Sequence, residues 1–85
     1  MPRNRSEKDP PSLTRASGTK VWQDYLGRLH RDNGPAIEYS DGTKVWYQHG
    51  RVHRENGPAV EQRGGYNSWY FNGKFIRSEG PNNAT

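Results

Sequence analysis

Two histidines, three arginines and three tryptophans recur in this 85-residue chain at intervals of 23 or 24 residues, and these side chains have the most chemistry to offer. His30 and His53 could each give an imidazole nitrogen to a metal. Arg31, Arg54 and Arg77 could engage phosphates or acidic side chains, and Trp22, Trp46 and Trp69, with Tyr47 and Tyr70, could anchor a partner or stack on bases.

The metal reading fails on spacing. Equivalent positions on successive hairpins lie two strands apart, about 9 to 10 Å, whereas two imidazoles on one zinc must each come within about 2.1 Å of it. The third equivalent position is Ile76, and there is no cysteine. Packing of each His against its Trp is the expected role. No metal and no cofactor are expected.

Catalysis has no better footing. No serine or threonine recurs beside a base, and Glu38 and Glu61 are equivalents of one repeat, expected to pair with nearby basic groups. The glycine-rich turns follow from hairpin geometry and not from a phosphate loop. The chain is not expected to be an enzyme. The arginine comb keeps two readings: a surface for phosphates or acidic groups, or side chains lying over Tyr47, Tyr70 or Phe75 and paired with neighbouring carboxylates.

The elements that position these residues are repeats. Gly27-Arg28-Leu29-His30-Arg31-Asp32-Asn33-Gly34-Pro35-Ala36 returns as Gly50-Arg51-Val52-His53-Arg54-Glu55-Asn56-Gly57-Pro58-Ala59 and, degraded, as Gly73-Lys74-Phe75-Ile76-Arg77-Ser78-Glu79-Gly80-Pro81. A repeat of this length means stacked supersecondary units. Asp41-Gly42, His49-Gly50, Gly64-Gly65 and Asn72-Gly73 each sit between aromatic or β-branched residues and read as two-residue hairpin turns, while Tyr25-Leu26-Gly27 reads as a three-residue loop.

These turns fix a register. Trp22 faces His30, Trp46 faces His53 and Ile37, and Trp69 faces Ile76 and Val60. His53 and Val60 are an odd number apart, so Asn56-Gly57-Pro58, like Asn33-Gly34-Pro35, must insert a bulge or bend. The expected fold is all-β: a single-layer antiparallel meander of about six strands built from three hairpin repeats, over residues 20–24, 28–39, 43–48, 51–62, 66–71 and 74–78. One face is expected to carry Trp22, His30, Ile37, Trp46, His53, Val60, Trp69 and Ile76. The other carries Val21, Leu29, Arg31, Val45, Tyr47, Val52, Arg54, Tyr70, Phe75 and Arg77.

Residues 1–17 read as a flexible basic tail, 18–81 as the repeat domain and 82–85 as a disordered C-terminus. The net charge of +4 is mild and mixed in sign, and part of it comes from Arg3, Arg5, Lys8 and Arg15 in the tail. A dedicated nucleic-acid binder carries a heavier, one-sided surplus. With no cysteine, no leader-like segment and no long apolar run, a cytoplasmic protein without membrane contact is expected.

The run Trp46-Tyr47-Gln48-His49-Gly50-Arg51-Val52-His53-Arg54-Glu55-Asn56-Gly57-Pro58-Ala59 resembles MORN-type repeats, most of all the divergent variants of small phage and bacterial proteins. The resemblance covers residues 18–81 and departs from common units in having His-Arg-x-x-Gly-Pro where they have His-Gly-x-Gly. It implies a hairpin-repeat sheet serving scaffolding, dimerisation or peptide binding. On that basis the expected function is a non-enzymatic protein-binding module that occupies the surface of a host protein or complex. The resemblance suggests a small phage-encoded, anti-CRISPR-like inhibitor of a bacterial defence or nuclease complex. The expected binding residues are Trp22, Trp46, Trp69, Tyr47, Tyr70, Arg31, Arg54 and Arg77. Two alternatives stand beside it: a nucleic-acid binder using the arginines and aromatics, and a self-associating structural or antitoxin-like repeat, with a homodimer formed through a face or edge strand.

Overall fold

His49 and Asn72 take φ values of 48° and 50°, and the glycines that follow them, Gly50 and Gly73, take 88° and 83°. Two consecutive positive angles make the two-residue turn whose twist matches paired strands, so His49-Gly50 and Asn72-Gly73 close hairpins as their sequence requires. In the computed structural model, which describes residues 9–81, these turns belong to an all-β, antiparallel chain with an elongated 49 × 28 × 25 Å envelope.

The strands are β1 (Leu13–Thr14), β2 (Lys20–Val21), β3 (Ile37–Glu38), β4 (Lys44–Val45), β5 (Tyr47–Gln48), β6 (Arg51–Val52), β7 (Val60–Gln62), β8 (Tyr66–Phe71) and β9 (Lys74–Glu79). Seven form one sheet in the order β1-β2-β3-β4-β7-β8-β9, and β5 pairs with β6 in a small second sheet. Within the described residues the meander is thus cut into nine short strands, seven in one sheet and two in another, where about six longer strands are expected from the sequence. The expected strand 43–48 divides at Trp46, and the expected strand 51–62 is interrupted through residues 53–59, which contain Asn56-Gly57-Pro58. Proline removes a ladder donor and glycine admits the bend.

The connecting turns correct the register. Ile37 pairs with Val45 and Val60 with Ser68, because the loops are the three-residue segments Ser40-Asp41-Gly42 and Arg63-Gly64-Gly65. Asp41 is not at positive φ; its carboxylate instead accepts the Thr43 amide at 2.8 Å, which holds the loop open by one residue. That amide holds the Asp41 carboxyl below its ordinary range. The residue facing Trp46 is consequently not Ile37 or Val60. Trp46 N donates to Ala59 O, Trp22 N donates to Ala36 O, and both alanines are fully buried. A small side chain leaves room for the indole on its neighbour, so a β-branched residue beside each Trp is replaced by the smallest one that keeps a Cβ.

Trp22 O accepts His30 N and Trp46 O accepts His53 N, as the sequence register requires. In the last hairpin a bulge between Trp69 and Tyr70 shifts the pairing, so Trp69 faces Arg77 and not Ile76.

The sheet begins earlier than residue 18. β1 lies within the expected tail, and Ser12 N donates to Val21 O at 2.8 Å just as Ala36 N donates to Val45 O. Leu13 pairs with Val21 as Ile37 pairs with Val45, and the loop bonds Arg15 N to Thr19 O and Gly18 N to Arg15 O reappear as Tyr39 N to Thr43 O and Gly42 N to Tyr39 O. At this offset of 24 residues Asp9 corresponds to Asn33 and Pro11 to Pro35. Residues 1–8 of the expected tail and 82–85 of the expected C-terminus lie outside the described residues.

Candidate functional site

Three arginine–tryptophan pairs organise the molecule. The guanidinium carbon lies 3.7 Å from the ring centre of Trp22 for Arg31, 3.8 Å from that of Trp46 for Arg54 and 4.1 Å from that of Trp69 for Arg77. The expected division into a Trp face and an Arg face is thus overturned, and the arginines stack on tryptophan and not on Tyr47, Tyr70 or Phe75. The cause is the interruption after each His: the chain leaves the strand, so Arg31 N bonds Tyr47 O and Arg54 N bonds Tyr70 O on the next hairpin. In the third pair the bulge has the same effect, setting Arg77 opposite Trp69. A guanidinium over an indole contributes about 0.5–2 kcal/mol, more as water is excluded.

The Gly-Pro segment closes on the first two guanidinium groups. Arg31 NH1 donates to Pro35 O at 3.2 Å and to Glu38 Oε2 at 3.3 Å; Arg54 NH1 donates to Pro58 O at 3.1 Å and to Glu61 Oε2 at 3.0 Å. A Cβ on Gly34 or Gly57 would come within 3.1 Å of the guanidinium carbon of Arg31 or Arg54, so these glycines provide the close approach. In the third pair Arg77 instead bridges Glu79 at 2.9 Å, and the space beside Gly80 is filled by the Tyr66 ring.

Exposure rises along the chain. The arginine side chains are 12%, 27% and 54% exposed for Arg31, Arg54 and Arg77, while Trp22 is buried and Trp46 and Trp69 are half-buried. The first pair is covered by Asp9: Trp22 Nε1 donates to its carbonyl at 3.1 Å, and Arg31 Nε and NH2 donate to its carboxylate at 3.3 and 3.0 Å.

No protein-family model, curated protein or solved structure matches this chain.

Of the residues expected to bind a partner, then, Trp22 and Arg31 are covered within the chain, while Trp46, Arg54, Trp69 and Arg77 remain accessible. Tyr47 and Tyr70 are half-buried; burial raises the Tyr47 hydroxyl pKa, and Tyr70 packs edge-on to Phe75 with ring centres 5.5 Å apart. Phe71, Phe75, Ile76 and Tyr66 add exposed apolar surface on the last hairpin. Sequence reading missed Asp9. The available signal was Gly18-Thr19-Lys20-Val21-Trp22, which is identical to Gly42-Thr43-Lys44-Val45-Trp46 and extends the repeat upstream.

The histidines act as clasps between hairpins. His49 N donates to His30 Nδ1 at 3.0 Å, and Asn72 N donates to His53 Nδ1 at 2.9 Å. Accepting at Nδ1 leaves the proton on Nε2, which lies 2.8 Å from Asp32 for His30 and 3.7 Å from Glu55 for His53. In place of the expected packing on Trp, His30 stacks on His49 at 4.0 Å and His53 meets Phe71 edge-on at 4.6 Å. The equivalent position in the last hairpin is Ile76, which has no imidazole to offer. Among the described residues no group of three or more His, Cys, Asp or Glu side chains is arranged to hold a metal ion. The described chain also has no helix long and apolar enough to cross a membrane.

Asp24 anchors the first hairpin. Its buried carboxylate meets His49 Nδ1 at 2.8 Å and Arg28 Nε at 2.9 Å, and accepts the amides of Leu26 and Arg28. The His49 hydrogen bond, with the donors from Arg28 and Leu26, holds its carboxyl well below the usual carboxylate range despite burial.

Proposed function

We propose that this chain is a non-enzymatic protein-binding module that acts by occupying a partner's surface. The observation that supports this reading most is the progressive opening of the arginine–tryptophan pairs from Trp22 to Trp69, which ends in a hairpin whose last strand is exposed along all six residues. Half-buried tryptophans with fixed arginines are the anchors from which interface hot spots are made. The resemblance to divergent MORN-type repeats suggests the setting: a cytoplasmic, phage-encoded inhibitor of a bacterial defence or nuclease complex. Capture of a partner by the wild-type chain, lost on the double change Trp46→Ala and Arg54→Ala with the fold retained by circular dichroism, tests the site. Unchanged capture overturns it.

Self-association is a second reading, favoured by β9, an exposed edge strand. Its antiparallel self-pairing can set Lys74 against Glu79 of a second copy. A strict monomer by light scattering at millimolar concentration counts against it. Nucleic-acid binding has less support, because Arg31, Arg54 and Arg77 already hold carboxylates with which phosphates must compete. An oligonucleotide bound at about 50 mM salt and released as salt rises would favour it.

A further inference from the structure

The first two arginine–tryptophan pairs share every partner but one. Arg31 uses NH1 for Pro35 and Glu38 and gives its Nε and NH2 edge to both oxygens of Asp9, while the Trp22 indole N–H takes the Asp9 carbonyl. Arg54 uses NH1 for Pro58 and Glu61 in the same way. Asn33 stands in sequence where Asp9 stands one unit earlier, and an amide offers that guanidinium no carboxylate. Among the described residues, neither the Asn33 side chain nor the Arg54 Nε and NH2 groups nor the Trp46 indole N–H has a hydrogen-bond partner.

Those donors lie at a groove of about 420 Å³ between the Asn33 and Asn56 loops, with Trp46, Arg54 and Gln48 among its walls. A guanidinium fixed on its ring by NH1 presents the remaining fork in one orientation, the geometry that suits a carboxylate. The exposed carboxylates of Asp32 and Glu55 also border the groove. They repel a bare anion and attract a basic group beside the bound acid. In the first site the acid from within the chain, Asp9, follows Lys8 in sequence.

We propose that the groove over Arg54 and Trp46 binds the side-chain carboxylate of an acidic residue in a partner polypeptide, one that carries a neighbouring lysine or arginine. Asp9 on Arg31 is the intrachain counterpart of that contact. The proposal rests on the protein-binding reading above and names the chemistry that the partner must present.

The test uses a fluorescently labelled Gly-Ser-Lys-Asp-Ser-Gly peptide, its Asn-for-Asp counterpart, and acetate and inorganic phosphate as competitors, with binding read by anisotropy. Asn33→Asp supplies a carboxylate within the chain, as Asp9 does for Arg31, and is expected to weaken binding of the Asp peptide about tenfold or more. The Asn peptide should bind wild type about tenfold more weakly. Equal binding of the two peptides, or unchanged binding to Asn33→Asp, overturns the proposal. So does competition by acetate or phosphate at the peptide's own concentration, which would mark a site for free anions. If Asn33→Asp leaves partner capture intact while Trp46→Ala with Arg54→Ala abolishes it, this site fails and the protein-binding reading stands.

Discussion

The guanidinium of Arg54 lies 3.8 Å from the centre of the Trp46 ring while its NH1 holds both the Pro58 carbonyl and the Glu61 carboxylate. One side chain therefore ties together the indole, the Gly-Pro bend and the following strand β7. The same arrangement joins Arg31 to Trp22, Pro35 and Glu38. In a chain with only 28% hydrophobic residues, this stacking replaces part of the apolar core that the composition cannot supply.

Arg31→Lys removes the planar fork while keeping the charge, and leaves Asp9 without its bidentate partner and Glu38 without its NH1 donor. It is expected to cost about 2 kcal/mol. Arg77→Lys, at a pair that is half exposed, is expected to cost under about 0.5 kcal/mol. Urea denaturation of both variants checks the contrast.

Ala59→Val adds two methyl groups at a fully buried position beside Trp46 and is expected to destabilise by about 1–3 kcal/mol through overpacking. Val60→Ala, at the neighbouring half-buried position, is expected to be the milder change. If valine at 59 is tolerated without loss in thermal denaturation, the strand register that sets Ala59 beside Trp46 is wrong.

His53→Phe keeps a ring against Phe71 but removes the acceptor of the Asn72 amide, at a cost of about 1–3 kcal/mol. Local loss should show as faster hydrogen exchange at the Asn72 amide.

The period and the His49-Gly50 and Asn72-Gly73 turns were legible in the sequence because turn chemistry is local: the residues that need positive φ announce themselves. Asp41-Gly42 looks the same as a dipeptide but makes a three-residue loop, since Asp41 caps Thr43 without entering positive φ. The extra loop residue moves the pairing across that turn by one position, so Ile37 faces Val45 and not Trp46. The arginine stacking was not legible, because it depends on where the chain goes after leaving each strand. Asp9 escaped notice because Pro10 and Ser12 stand where the later copies have Gly34 and Ala36, which hides the upstream half-repeat.

Asp24 gives the acid side of the stability profile. Its folded-state carboxyl is held below the ordinary value near 3.9, so its stabilising contribution is complete above that range and is lost as pH falls toward the folded value. Melting temperatures of wild type and Asp24→Asn are expected to differ at about pH 5 and to converge toward about pH 2. A gap that widens on acidification contradicts the assignment.

The most direct measurement is a ¹⁵N-edited spectrum of the arginine Nε–H groups in the wild-type chain, Asp9→Asn and Asn33→Asp. In wild type, the Arg31 Nε–H is expected to be protected from exchange and the Arg54 Nε–H to exchange freely. Asp9→Asn should expose the first, and Asn33→Asp should protect the second. Equal protection of Arg31 and Arg54 in the wild-type chain, or an Arg54 signal unmoved by Asn33→Asp, would contradict the pairing of one closed site with one open one.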